Sequence, residues 1–326
     1  MSTNERLSAL RALLEEGEPD RERFEAVCDA LEPLLLGEDF PVGRDYAAQR
    51  MEGWPDLARR APMEWWAPML AGDAPLPHWA LARSLDLSQV KLSAAQIGQL
   101  LKHPAAAQAR ALDLRDRRIG TMTTAYPLLS AGHLSGLRWL DLTRNDIGSS
   151  GGSALAAARH LGALEVLRLG GNRLGIKGFQ SLAQAEQLAS LRELRLDSNK
   201  LGPKAVKALL QSPHLGALEV LGLGECQLDA EAVEELAQSP RCAALRELDL
   251  SDNWIGDRGA RALAQSPHLA GLRALRLARS GVTHEGIAAL LGSPHLEALS
   301  LLELSGNQVG DRGALALAQG ARLGQL

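Results

Sequence analysis

A fixed internal period governs this chain. The stretch "LRELDLSDNWIGDRGARALAQSPHL" (residues 245–269) is followed by "LRALRLARSGVTHEGIAALLGSPHL" (residues 272–296), with corresponding positions 27 residues apart. Aligned on the second leucine of the phrase, the anchors are Leu85, Leu112, Leu140, Leu167, Leu194, Leu221, Leu248, Leu275 and Leu302. Their separations are 27, 28 and then 27 six times. A repeat of that length implies stacked supersecondary units that share one continuous core, since one unit alone cannot bury its apolar face.

The residue types within a unit predict its local structure. Every anchor is followed two residues later by another leucine, and L-x-L is the two-residue period of a strand with one buried face. About fifteen residues past most anchors a further leucine (Leu155, Leu182, Leu209, Leu236, Leu263, Leu290, Leu317) lies in an alanine-rich run of good helix formers. Several of these runs stop at Ser-Pro, as in "QSPHL" at 211–215, where proline ends a helix. One unit is therefore strand, loop, helix, loop. Five residues past the anchor stand Asn145, Asn172, Asn199, Asn253 and Asn307, with Cys226 and Ser280 in two units. A stacked asparagine column both donates to and accepts from loop backbone that would otherwise be buried unpaired. Val90 and Arg117 hold this place in the first two units, which are expected to be irregular. Gly151, Gly178, Gly259, Gly286 and Gly313 sit eleven past their anchors, where a small residue is expected to let helix approach sheet.

These residues resemble a leucine-rich repeat protein over roughly residues 81–326, and the 27–28-residue length with a full helix resembles the ribonuclease-inhibitor-like subclass. The resemblance implies an α/β solenoid of nine strand-loop-helix repeats with a parallel sheet on its concave face. It also implies binding of another protein through that face; members of the subclass include protein inhibitors, GTPase-activating proteins and immune-receptor sensing regions.

Residues 1–80 carry no repeat and read as amphipathic helices, with four of the six tryptophans: Trp54, Trp65, Trp66 and Trp79. The expected division is an acidic, all-helical N-terminal cap at 1–80 and the solenoid at 81–326. An independent effector or docking domain is the other reading of 1–80. At the far end the last unit stops where a tenth strand would begin, so a homodimer through Leu302–Leu326 is expected.

Charge and cysteine content exclude several classes. Residues 1–80 hold 8 Arg and 16 Asp+Glu, and the remainder carries 27 basic against 23 acidic side chains. Such dilute positive charge is no phosphate-binding track, so nucleic acid is not an expected partner. Three widely spaced cysteines, Cys28, Cys226 and Cys242, make neither a disulfide framework nor a zinc site and fit a reducing compartment. Without an apolar run of 18 residues or a signal sequence, a cytoplasmic protein with no membrane partner is expected. "GSSGG" at 148–152 fits G-x-S-x-G, but Ser150 falls eight residues after its strand rather than at the strand-ending turn of a nucleophile elbow. "LGGN" and "GLGEC" do not complete a phosphate-cradling motif. His133, His160, His214, His268 and His295 each precede an anchor by seven residues, at the ends of the helices, where a histidine meets the helix dipole favourably. No catalytic residue, metal or cofactor is expected.

A partner should meet the residues flanking the buried leucines. Those between the leucines run Asp86, Asp113, Asp141, Arg168, Arg195, Gly222, Asp249, Arg276 and Glu303, a stripe acidic at first and basic in the middle. Just before the anchors, Trp139 stands out beside Val166 and the bare Gly170–Gly171. The expected partner-binding residues are Asp113, Trp139, Asp141, Arg144, Val166, Arg168, Glu193 and Arg195, since aromatic and arginine side chains dominate binding hot spots. Packing against the N-terminal segment is the competing role for Trp139. The expected function is a non-catalytic scaffold or regulator. Regulation of a small GTPase is the alternative from the resemblance, and a serine hydrolase using Ser150 is a more distant one.

Overall fold

Each L-x-L triplet forms a three-residue strand: β1 (Ser84–Asp86), β2 (Ala111–Asp113), β3 (Trp139–Asp141), β4 (Val166–Arg168), β5 (Glu193–Arg195), β6 (Val220–Gly222), β7 (Glu247–Asp249), β8 (Ala274–Arg276) and β9 (Leu301–Glu303). The computed structural model describes residues 3–15, 17–31, 40–119 and 128–319. The strands follow chain order in one nine-stranded sheet. Parallel registers set anchor against anchor, such as Leu85 with Leu112 and Leu167 with Leu194. The chain is a leucine-rich-repeat-type α/β solenoid with helices at its N-terminus. It divides into two compact units, Met1–Leu114 with Tyr126–Leu140, and Arg115–Ala125 with Asp141–Leu326.

In the first unit, helices Thr3–Glu15, Arg21–Leu31 and Phe40–Arg50 precede the sheet. The four tryptophans form its core: Trp66 is 1% exposed, and Trp65 stacks on His78 at 5.0 Å and meets Phe24 edge-on at 6.0 Å. The N-terminal segment is not purely helical. Residues 59–61 run parallel to β1, with the Arg59 carbonyl accepting from Arg83 N (2.9 Å) and Ser84 N (3.0 Å) and Ala61 N donating to Ser84 O (2.9 Å). The same arrangement joins successive strands, as where Arg83 O accepts from Arg110 N and Ala111 N. Edge pairing of β1 by an irregular segment removes an exposed row of strand donors and acceptors.

In the second unit each strand leads to a helix, from Gly148–Ala157 through Gly175–Ala183, Lys204–Leu210, Ala230–Ala237, Gly256–Ala264 and His284–Leu291 to Gly310–Gln319. The expected helix leucines from Leu155 to Leu290 are buried; the Leu317 side chain lies outside the described residues. The asparagine column forms as expected. Asn172 Oδ1 accepts from Asn145 N (2.9 Å) in the preceding repeat, while its Nδ2 donates to Leu142 O (2.8 Å) and Leu169 O (2.9 Å). Asn199 and Asn253 repeat the pattern, and Cys226 keeps only the donating half, with Sγ 3.3 Å from Leu196 O. The Ser-Pro serines add a second tie. Ser266 and Ser293 donate to Ala237 O and Ala264 O, both at 2.5 Å, closing the last turn of the helix one repeat earlier.

The glycine column serves a different contact from the one expected. A Cβ on Gly178 would stand 3.0 Å from Ser149 Cα, in the neighbouring helix, and one on Gly259 would strike Ile255 Cβ of its own preceding turn at 2.8 Å. Gly178 lets helix approach helix, Gly259 makes room for its own preceding turn, and neither contact is with the sheet. The C-terminal end of the proposed dimer surface, residues 320–326, lies outside the described residues; within them Leu301 is 40% and Leu315 56% exposed.

Candidate functional site

The outward face of the sheet in the second unit carries a chain of alternating charges. Arg168 Nε donates to Glu193 Oε1 at 2.7 Å, and Arg195 Nε donates to the same oxygen at 3.0 Å. Arg195 then reaches over β6 to Glu247 Oε1 at 2.5 Å, which also accepts from Arg276 Nη1 at 2.5 Å, and Arg276 lies 3.7 Å from Glu303. Adjacent strands lie only about 4.8 Å apart, so an arginine spans two of them when the intervening residue has no side chain. Gly222 is that residue: a Cβ there would stand 3.2 Å from Arg195 Cγ and 2.8 Å from Asp197 Oδ2.

The ion pairs set the titration of the row. Burial alone would raise the Glu247 carboxyl, but hydrogen bonds and charge from Arg195 and Arg276 outweigh it and hold the group below the ordinary glutamate value. Burial likewise pulls Arg195 down, and its bonds to Glu247 and Glu193 more than reverse this. Asp197 behaves in the opposite way. Burial raises its carboxyl, and nearby Asp249 adds to the rise against the opposing hydrogen bond from Gly224 N (2.9 Å) and the charge of Arg195.

Between these carboxylates the sheet is bare. β6 and the residues after it present Val220, Gly222 and Gly224 outward, by the alternation of strand side chains. The position a Gly224 Cβ would take lies 3.2 Å from Asp197 Oδ1, 3.6 Å from Asp249 Oδ1 and 3.5 Å from the Ser251 carbonyl. Three oxygens and a glycine floor thus surround one point. The chemistry there favours a cationic hydrogen-bond donor.

The sequence-predicted residues are only partly brought together. Arg168, Glu193 and Arg195 belong to the charge chain, and Val166, half-buried on β4, is in register with Glu193. Arg144 stands on the loop after β3 in a left-handed conformation (φ 56°), 4.0 Å from Asp116. Asp113 and Asp141 do not form the open acidic wall the stripe implied. Asp113 is 6% and Asp141 2% exposed, and Asp141 accepts from Thr143 N at 2.8 Å with Arg115 3.6 Å away. A short carboxylate caps its own strand end more readily than it projects to solvent. Trp139, in the first unit, is half-buried, with its backbone N on Arg110 O.

Sequence reasoning missed two features. Glu193 and Glu247, just before their anchors, neutralise the central arginines, a pairing visible only once neighbouring strands are in register. Trp254, on the loop after β7, is 84% exposed, the most exposed large apolar side chain among the described residues; its place beside Asn253 in every alignment of the repeats was the available signal. Ser150 lies exposed in helix Gly148–Ala157, away from any strand-ending turn. His133 Nε2 lies 2.9 Å from Leu101 O, in the last turn of helix Ala94–Lys102, which is the helix-end role.

The leucine-rich repeat family matches residues 136–156, 187–210, 241–264 and 292–318. Those four segments carry leucine-rich repeats. Among solved structures, an internalin (inlF) from Listeria monocytogenes resembles it with a TM-score of 0.46 and 21% identity, covering 74% of this chain and 67% of its own. No curated protein matches the chain in sequence. No helix of the described residues is long and apolar enough to cross a membrane.

Proposed function

We propose that this protein is a non-catalytic binding protein of the ribonuclease-inhibitor-like kind that holds a partner protein on the outward face of the sheet in its second unit. The anchoring contact is a lysine or arginine of the partner set over Gly224 between Asp197 and Asp249. The observation that carries the reading is the geometry of that point: three oxygens within 3.6 Å of a place where this chain has no side chain. A cation there offsets the burial, and the added repulsion from Asp249, that raise Asp197. The Arg195–Glu247 bridge walls the socket, and its internal neutralisation leaves the socket as the part of the face with unspent charge. Repeat proteins present their extended sheet surfaces to other proteins in this way. The three buried free cysteines support a reducing, cytoplasmic setting.

The test is selection from a displayed random-peptide library on the full chain. Enriched peptides should share a lysine or arginine, and their binding should weaken at least roughly ten-fold in the Asp197→Asn/Asp249→Asn double variant, the scale of a lost charge-assisted contact. A side chain on the floor, in Gly224→Leu, should abolish it, while Ser150→Ala should leave it unchanged. Peptides without a basic residue, or binding indifferent to both site variants, would remove the socket from the account.

A further inference from the structure

Two arginines border the Gly224 socket, and neither fills it. Arg195 ends β5, two residues before Asp197. Arg276 is in register with Asp249 on the adjacent strand. The Arg195 stem and the Asp197 carboxylate flank one bare point: a Cβ on Gly222 would lie 3.2 Å from Arg195 Cγ and 2.9 Å from Asp197 Oδ1. The guanidinium fork begins two bonds beyond Cγ, so Asp197 is within its reach. Strands about 4.8 Å apart bring Asp249 within reach of Arg276 in the same way. The hydrogen bonds these two carboxylates accept nevertheless come from backbone, among them Gly224 N to Asp197 and Ser251 N to Asp249, each at 2.9 Å.

Glu247 draws the arginines off. It stands on β7, between the two strands' sides, and its Oε1 accepts from Arg195 Nη2 and Arg276 Nη1, both at 2.5 Å. Each arginine turns its Nε toward a second carboxylate, Arg195 toward Glu193 at 3.0 Å and Arg276 toward Glu303 at 3.7 Å. The terminal nitrogens have the longer reach, and Glu247 is the group that aims them. The consequence shows at Asp197, whose carboxyl is raised by burial and by Asp249 although the Arg195 charge opposes the rise.

We infer that Glu247 is a positioning residue for the socket: by claiming the terminal nitrogens of both arginines, it keeps Asp197 and Asp249 available to a partner's cation. This rests on the socket as the partner's anchoring point. Without Glu247, Arg195 and Arg276 fall back on the two aspartates, and the chain itself supplies the charge that a partner's lysine or arginine brings. Preference for a basic partner then depends on a carboxylate that acts through two arginines.

Two measurements on the full chain test this, one of them free of ligand. By NMR of the carboxyl carbons, Asp197 should titrate about one pH unit lower in Glu247→Gln than in the parent, as Arg195 joins it. In the Arg195→Gln/Arg276→Gln background the same substitution should move it by less than about 0.3 pH unit; a lost charge acting only through its field would move it equally in both. The second measurement uses the tightest basic peptide from the library selection. Its binding should weaken at least roughly ten-fold in Glu247→Gln, and by no more than about two-fold when that change is added to the double-arginine background. Melting curves establish that each variant is folded. Equal Asp197 movements or equal peptide losses in the two backgrounds overturn the inference, as does a folded Glu247→Gln that binds like the parent. Titrations that behave as stated while the selection yields no basic peptide support the hold of Glu247 on the arginines and reject the partner reading alone.

Discussion

One register position is used in two ways. Two residues before the anchor, the first unit stacks Arg83, Arg110 and Arg138 on Arg59, whereas the second reads Glu165, Arg192, Glu219 and Arg246. The backbone pattern is the same in both: Arg83 O accepts from two successive amides of the next strand, and so does Arg192 O. Identical scaffolding therefore carries a run of arginines in one place and alternating signs, with Arg192 paired to Glu219, in the other. On the sheet face of the second unit the same economy recurs, with Glu193 and Glu247 shared among three arginines. A repeat fixes where side chains stand, and only their sequence decides whether adjacent repeats cancel or accumulate charge.

The difference breaks most visibly at the buried end of the file. Arg59→Ala should destabilise the protein by about 3 kcal/mol, because the Leu81 and Met51 carbonyls lose buried donors along with packing. Arg59→Met, which keeps the packing and removes the repulsion, should cost visibly less. Urea unfolding midpoints measure both; equal losses would mean that the charge file carries no repulsion.

Glu247→Gln should come next, at about 1–2 kcal/mol near neutral pH, since it leaves Arg195 and Arg276 without their shared carboxylate. Because the Glu247 pKa is depressed, its contribution is complete above the ordinary 4.5 and fades as pH falls through the lower folded value. The variant's melting temperature should accordingly vary less than the parent's in that acid range. An unchanged acid profile would show that the row is not coupled.

The exposed pair offers a control. Arg192→Gln should change stability by no more than about 0.5 kcal/mol, as exposed ion pairs do; a larger loss would mean that pairing in this column is a structural requirement. Asp197→Asn is the smallest effect expected, a gain of about 0.3 kcal/mol at neutral pH, since the Gly224 N–H can still be accepted while the charge is removed. The sign with pH is opposite to that of Glu247. Between the ordinary 3.8 and the raised folded value the native protein holds more protons, so Asp197 makes the parent relatively more stable as pH falls through that window. Melting curves across it should show this trend in the parent and lose it in the variant.

The repeat, the strands, the helices and the asparagine column were legible in the sequence because each rests on a local period: two residues for L-x-L, 27 for the stack. Asn172 and Asn199 read correctly for that reason, and so did the Ser-Pro helix stops. The glycine column was legible as a requirement for smallness but not in its cause, since only packing shows that Gly178 faces Ser149 of the neighbouring helix. The sheet-face residues were half legible. Arg168 and Arg195 face outward as their register demands, but Asp141 turns back onto Thr143 N, a choice between solvent and a local amide that spacing does not encode.

The sequence by itself determined the architecture, because a 27–28-residue spacing of leucines has one economical burial solution and the stack inherits it. Only the tertiary structure decided the electrostatics. Arg195 and Glu247 are 52 residues apart in the chain and meet because Gly222 leaves a strand bare between them. Arg59 joins the arginine file from outside the repeat because residues 59–61 pair with β1. Charge acts through distances of a few ångströms and through burial, and both are set by which strands lie side by side, not by any period along the chain.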